Sequence, residues 1–203
     1  MRLFVRCGLI LGLVFFLAAS TGRALAAPGP SAEVQAFYDV LLGNMKNAEA
    51  LGAKGRYAKL EPVIQSTFDV PFMSRLSVGS LWGQLKPEQK QEVAKAFGRY
   101  ITATYATQFD GYSGEQLKVI GEQQIKHGTL VRSQIVKSDG EAISINYVLH
   151  DNDVRWQIRD IYLAGTISQL ATRRSEFSSI LRGEGGIEKL VGVLNQKADA
   201  LLH

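Results

Sequence analysis

Apolar side chains recur at intervals of three and four over residues 31–46. Val34, Phe37, Tyr38, Leu41, Leu42 and Met45 fall on one side of a helical wheel, which predicts an amphipathic helix capped by Ser31. The run from Gly52 to Gly55 interrupts that pattern, and a second helix is expected from about Arg56 to Phe68. Pro62 should bend it or end its first part. The segment "DVPFMSRLSVGSLWG" predicts a short helix and turn, opened by Asp69 and closed near Gly79. Pro87 then takes a first helical position and begins the strongest helical pattern in the chain. It runs to Phe109, with Val93, Phe97, Tyr100, Ile101, Thr104 and Tyr105 as its inward stripe.

After "DGYSGE" the apolar period drops to two residues, the signature of strands. Segments near 116–126, 129–138, 141–150 and 153–163 are predicted as strands. They are joined by Lys126-His127-Gly128, Ser138-Asp139-Gly140 and His150-Asp151-Asn152-Asp153. A four-stranded antiparallel meander is the simplest topology. Helices are expected again over about 166–182 and 187–202, separated by Gly183 to Gly186. Helices, then a meander, then helices predict an α+β fold, with helices packed on one face of a curved sheet that can enclose a cavity.

The helix expected at Thr166 carries an anomaly. With Thr166 as cap and Gln169 closing a capping box, Ile167, Leu170, Arg174, Phe177 and Leu181 share one stripe. A guanidinium on an inward stripe keeps its charge and needs a partner. Asp160, in register with Trp156, Ile158 and Tyr162 on the preceding strand, is the expected partner in a partly buried ion pair with Arg174. The other reading has Arg174 facing a cavity and contacting an anionic headgroup.

Composition changes the picture at the N-terminus. Arg2 and Arg6 precede a short apolar run from Gly8 to Ala19, and Ala24-Leu25-Ala26 offers small residues at cleavage-determining positions. This predicts a secretory signal peptide over 1–26, cleaved before Ala27, and a single domain over 27–203; an uncleaved anchor helix is the alternative. The formal charge of +4 would fall to +1 with the loss of Arg2, Arg6 and Arg23. With no dense Lys/Arg run elsewhere, nucleic acid is not an expected partner. Cys7 is the only cysteine and lies in the signal segment, so neither disulfide nor thiol chemistry is expected of the mature domain. A Sec-type signal on a cysteine-free product points to a bacterial periplasm. His127 and His150 sit at predicted turns without ligand spacing, so no metal site is expected. Neither a phosphate-binding glycine loop nor a nucleophile elbow is present.

Two stretches carry a family resemblance: "FDVPFMSRLSVGSLWGQLKPEQKQEVAKAFGRYI" and "WQIRDIYLAGTISQLATRRSEF". Phe68-Asp69, Gly79 to Trp82, the aromatics from Phe97 to Tyr105, Trp156 with Asp160, Gly165 with Ser168, and Arg174 with Phe177 resemble, in order and spacing, the MlaC or toluene-tolerance family of periplasmic phospholipid-binding proteins. The turn Ala164-Gly165-Thr166-Ile167-Ser168 looks more like the hopanoid-associated HpnM branch. The resemblance implies a periplasmic, monomeric shuttle with no cofactor apart from its lipid cargo, either phospholipid or hopanoid. It would move that cargo between an inner-membrane ABC-type transport complex and an outer-membrane lipoprotein complex, in the service of outer-membrane lipid asymmetry.

Taken singly, each inward apolar residue reads as core. The resemblance implies that a set of them lines a lipid cavity. The candidates are Phe72, Leu76 and Trp82; Phe97, Ile101 and Tyr105; Ile145 and Tyr147; Trp156, Ile158 and Tyr162; and Ile167, Leu170 and Phe177. Two other classes compete. One is an isomerase-like enzyme with Asp160 as base and Tyr147 or Tyr162 as donor, although Arg174 would hold Asp160 ionised. The other is a non-catalytic adaptor with a filled core.

Overall fold

In the computed structural model, which describes residues 29–203, the first helix α1 spans Pro30–Lys46. The signal peptide expected over 1–26, with Cys7, lies outside the described residues. Pro30 lacks the N–H that a helix start leaves unbonded, and it takes the first helical position. Ser31 is therefore inside the helix, not its cap. Its Oγ instead donates to Glu122 at 2.6 Å and fastens the helix start to the sheet.

Helix α2 spans Ala48–Thr67, but Gly52, at φ 59° and ψ 177°, is not helical and divides it into two pieces. The interruption expected at Gly52 to Gly55 is present, and the longer second piece runs on through Pro62 to Thr67. Buried Arg56, on the second piece, braces the first across the kink, donating from Nη1 to Ala48 O at 2.8 Å and from Nε to Ala106 O at 2.7 Å. Helix α3 spans Val70–Val78 and is capped by Asp69, whose Oδ1 accepts from Phe72 N. A 3-10 turn over Gly79–Gln84 follows, then α4 over Pro87–Gln108.

The sheet is an open antiparallel meander of β1 (Gln116–Ile125), β2 (Gly128–Val136), β3 (Ala142–Asp151), β4 (Trp156–Leu163) and a fifth strand, β5 (Ile167–Ser168). The fifth strand corrects the expected count of four. Ala164 (φ 49°) and Gly165 (φ 78°) both adopt left-handed backbone, and Thr166 N donates to Leu163 O. That is the geometry of a type I′ turn, and it folds Ile167-Ser168 back onto Tyr162-Leu163. Helix α5 consequently spans Gln169–Leu181 and not 166–182. Its cap is Ser168, whose Oγ accepts from Ala171 N at 3.0 Å. Helix α6 spans Gly186–Leu201.

The β3–β4 register jumps where Val148 and Leu149 face Asp160 and Ile158, leaving Arg159 as an extra residue. The jump reverses side-chain parity along β4. Ile158 and Ile161 are both buried against the helices, while Asp160 and Tyr162 turn to the opposite face. Asp160 is therefore not in register with Ile158, as simple alternation predicts. The core lies between the helices and the β2–β4 face, anchored by Phe37, Tyr38, Phe68, Phe97, Tyr147 and Ile158.

Candidate functional site: an apolar cavity under helix α4

The stripe on α4 decides where the cavity lies. Phe97, Tyr100, Ile101, Thr104, Tyr105 and Gln108 repeat every three or four residues and form one wall of a cavity of about 130 Å³. Ile145 and Tyr147 of β3, with Ile161 and Leu163 of β4, form the opposite wall. Gln169, Leu170 and Arg173 of α5 close a third side, and Phe68, Met73 and Phe109 complete the lining. Thr104 donates its hydroxyl to Tyr100 O at 2.8 Å, which satisfies its polar atom within the helix.

Phe68 and Tyr105 meet edge to face at 5.8 Å in the lining, and Tyr105 stacks on Phe109 at 5.6 Å. Behind them Phe37 meets Tyr105 and Tyr147 edge to face. Tyr38 and Ser133 hydroxyls lie 2.6 Å apart, and Ser133 donates to the Ile145 carbonyl. Burial pushes the Tyr105 and Tyr147 phenols far above their ordinary range; neighbouring phenols add to the rise at Tyr147, while at Tyr105 Tyr38 adds to it and a hydrogen bond with Tyr147 opposes it. Both hydroxyls are therefore neutral at any physiological pH. The lining holds no carboxylate, imidazole or thiol. It offers apolar surface and neutral hydroxyls, with one charge on α5. That is an environment suited to hydrocarbon.

A second, open hollow of about 600 Å³ lies beside the first and shares only Leu170 with it. It is lined by Phe72 and Leu76 of α3, Val148 and His150 of β3, Trp156 to Tyr162 in part, and the β1–β2 turn.

The fourteen apolar candidates divide between these places. Phe97, Ile101, Tyr105, Ile145, Tyr147 and Leu170 line the inner cavity. Phe72, Leu76, Trp156 and Tyr162 line the outer hollow with Leu170. Ile158 and Phe177 are packed core, and Trp82 lies partly buried beneath Lys90. Ile167 is exposed, because the tight turn places it on a terminal edge strand instead of an inward helix face. Sequence periodicity missed Ile161, which the β4 bulge moved inward. It also missed Phe68, Met73, Phe109 and Leu163, which reach the cavity from element ends. Gln108 was legible in principle, since it extends the α4 stripe by one more step.

The expected Asp160–Arg174 ion pair does not form. Asp160 Oδ1 accepts from Leu170 N at 3.0 Å and from Ile161 N at 2.8 Å, while Oδ2 accepts from Ser168 Oγ at 2.7 Å. Its charge thus sits at the N-terminus of α5, where exposed amides and the helix dipole favour an anion. Arg174 is exposed and lies across Gly79, whose added Cβ would meet the guanidinium at 3.6 Å. Its neighbour Arg173 faces the cavity instead. Leu170 and Phe177, the buried residues of α5, are seven apart, and both 173 and 174 lie at helical spacing between them. Periodicity alone could not choose. The bulge also separates Asp160 from Tyr147, which removes one proposed acid–base pair. Tyr162, the other proposed donor, shares the outer hollow with Asp160, but both oxygens of that carboxylate are already engaged.

Among the described residues no group of three or more His, Cys, Asp or Glu could hold a metal ion, and no helix is long and apolar enough to cross a membrane.

Comparison with known proteins agrees with this architecture. A solved structure of a phospholipid-binding protein from Ralstonia solanacearum, in complex with a phospholipid, matches with a TM-score of 0.75 at 20% identity, over 87% of this chain and 100% of that one. A curated relative from Haemophilus influenzae, named intermembrane phospholipid transport system binding protein MlaC, is 25% identical over 126 residues. The match covers 60% of this chain but only 58% of that relative's length. The family model described as MlaC protein matches residues 35–196, most of the chain, and this protein belongs to the MlaC family.

Proposed function

We propose that this protein is a lipid carrier that takes up the acyl portion of a phospholipid between α4, α5 and the sheet. The observation that supports this best is the inner cavity. It is apolar on three sides, floored by neutral phenols, and lined by no group suited to general acid–base chemistry. The names of the Haemophilus and Ralstonia relatives point to the same class of cargo. Hopanoid is the second candidate cargo, on the likeness of the 164–168 turn to the HpnM branch. The lipid is cargo, not a resident cofactor.

The physical need for a carrier is large. Exposing about fifteen methylenes to water costs roughly 12 kcal/mol at about 0.8 kcal/mol each, so unaided crossing of an aqueous gap is slow. A carrier needs only to match the membrane's free energy for the tails, which lets exchange run in both directions. On this reading the chain acts as a monomer in the periplasm after removal of residues 1–26. It exchanges lipid with an inner-membrane ABC-type complex and an outer-membrane lipoprotein complex.

The test is native mass spectrometry of the processed protein taken from a periplasmic extract, followed by lipid identification. One phospholipid or hopanoid per chain is expected. Protein that emerges lipid-free, and stays so after incubation with phospholipid vesicles, would sink the carrier reading in favour of an adaptor.

A further inference from the structure

The inner cavity accounts for tails; its mouth bears on the other end of the cargo, and this step rests on the carrier reading above. Arg173 is the one charged residue that lines the cavity. Its side chain is 22% exposed, part-buried against the cavity yet open to solvent. The guanidinium lies 5.1 Å from the centroid of Tyr100, another lining residue. Lys197 of α6 approaches the same ring at 5.7 Å and makes no ion pair among the described residues. Leu163, across the cavity from Arg173, is itself exposed. Two cations and an aromatic face thus stand where an apolar cavity meets water.

Among the described residues the only carboxylate paired with this cluster is Glu176, which accepts from Arg173 Nη1 at 2.8 Å. It lies one turn along the same helix and is itself 40% exposed. Such a pair is weakly held, and it engages one of the five N–H donors of the guanidinium. A phosphate presents several oxygens to the same fork and binds it bidentately.

We propose that Arg173, assisted by Lys197 and Tyr100, binds the phosphate of the lipid headgroup at the cavity mouth, and that Glu176 holds Arg173 when no phosphate is present. The tails then confer affinity, and Arg173 confers preference for a phosphate-bearing lipid over one with the same tails and none.

The experiment incubates the processed protein with vesicles doped with phosphatidylglycerol or with diacylglycerol of identical tails. Lipid per chain is then counted by native mass spectrometry. Arg173→Gln should lower phosphatidylglycerol loading about fivefold, the scale of one partly exposed charge-assisted contact, and leave diacylglycerol loading unchanged. Glu176→Gln should raise phosphatidylglycerol loading, and the exposed neighbour Arg174→Gln should alter neither. Equal losses for both lipids in Arg173→Gln, or no loss, overturn the assignment while the carrier stands. Wild-type protein that loads neither lipid overturns the carrier reading itself. Inorganic phosphate in large excess should not displace phosphatidylglycerol; displacement in the wild type would make this a site for the free ion. Arg173→Lys, which keeps the charge, should recover part of the preference, and a structural defect would not be rescued this way.

Discussion

Removing the Asp160 carboxylate tests the account of how α5 is held over the cavity. In Asp160→Ala three donors lose their acceptor: Leu170 N, Ile161 N and Ser168 Oγ. Ser168 Oγ also caps Ala171 N, so its orientation loosens with them. A hydrogen bond to a charged group contributes about 1.5–3 kcal/mol, and a lost helix cap costs about 1 kcal/mol. The site is only part-buried and water can replace some of these contacts, so the expected net loss is about 2–4 kcal/mol. Urea unfolding followed by circular dichroism should report this, with a melting temperature lower by about 5–15 °C. Asp160→Asn keeps one acceptor oxygen for Leu170 N and should lose about half as much. The rival account, in which Asp160 pairs with Arg174, makes a different claim for the double-mutant cycle with Arg174→Met. Without contact the two substitutions should add to within about 0.5 kcal/mol. Coupling above about 1 kcal/mol, or a loss below 1 kcal/mol in Asp160→Ala, would refute the capping role.

Gly128→Ala should be among the most damaging single changes. Gly128 has φ 136°, and a Cβ there would sit 2.1 Å from the Leu149 carbonyl oxygen, so β2 and β3 must separate. A loss of about 3 kcal/mol or more is expected in urea unfolding, and a loss under 1 kcal/mol would contradict the strand geometry. Alkaline titration should unfold the protein cooperatively. Burial raises the phenols of Tyr38, Tyr105 and Tyr147, and burial with a hydrogen bond to Glu61 pushes Tyr57 up to about 12. The unfolded chain ionises its tyrosines near pH 10, whereas the fold holds them neutral. Stability is therefore fully present below pH 10 and is lost above it, at up to about 1.4 kcal/mol per pH unit for the buried Tyr147 and less for the partly buried Tyr105. Phenolate absorbance should rise in step with loss of helix signal; smooth ionisation of all seven tyrosines with the fold intact would contradict their burial.

The α4 stripe was legible because 3.6-residue periodicity survives any tertiary context. Phe97, Ile101 and Tyr105 stand where periodicity places them, and so do Ile145 and Tyr147 of alternating β3. What escaped was set by single residues whose effect is not periodic. Arg159 adds one residue to β4 and reverses every side chain after it, so Ile161 replaced Tyr162 as a cavity residue. Ala164 adopts left-handed backbone that alanine rarely takes, and nothing in its identity announces β5. Gly52 announces its own break, but the brace across it, Arg56, acts partly through Ala106 on another helix and carries no periodic signal. Arg173 and Arg174 are chemically identical, and only the packing of α5 tells them apart.

The dimensions of the cavity decide which wall must move during loading. A hydrocarbon tail of about fifteen carbons occupies about 450 Å³ if each carbon takes the roughly 30 Å³ of a small group in a liquid, so the cavity of about 130 Å³ must widen to take a tail of that length whole. Helix α4 is a poor candidate for displacement. It buries six residues, and it is tied to its neighbours by Arg99 with Asp199, by Thr107 with Leu201 O, and by Arg56 with Ala106 O. The sheet wall is held by its ladders. Helix α5 buries only Leu170 and Phe177, and it joins the sheet through the two-residue β5 and the Asp160 cap. Local opening should therefore be least costly there. Amide hydrogen exchange, measured with and without phosphatidylglycerol, should show α5 as the least protected wall of the lipid-free protein and as the wall whose protection changes most on loading. A larger change in α4 or β3 would mean that the tails enter by a different route.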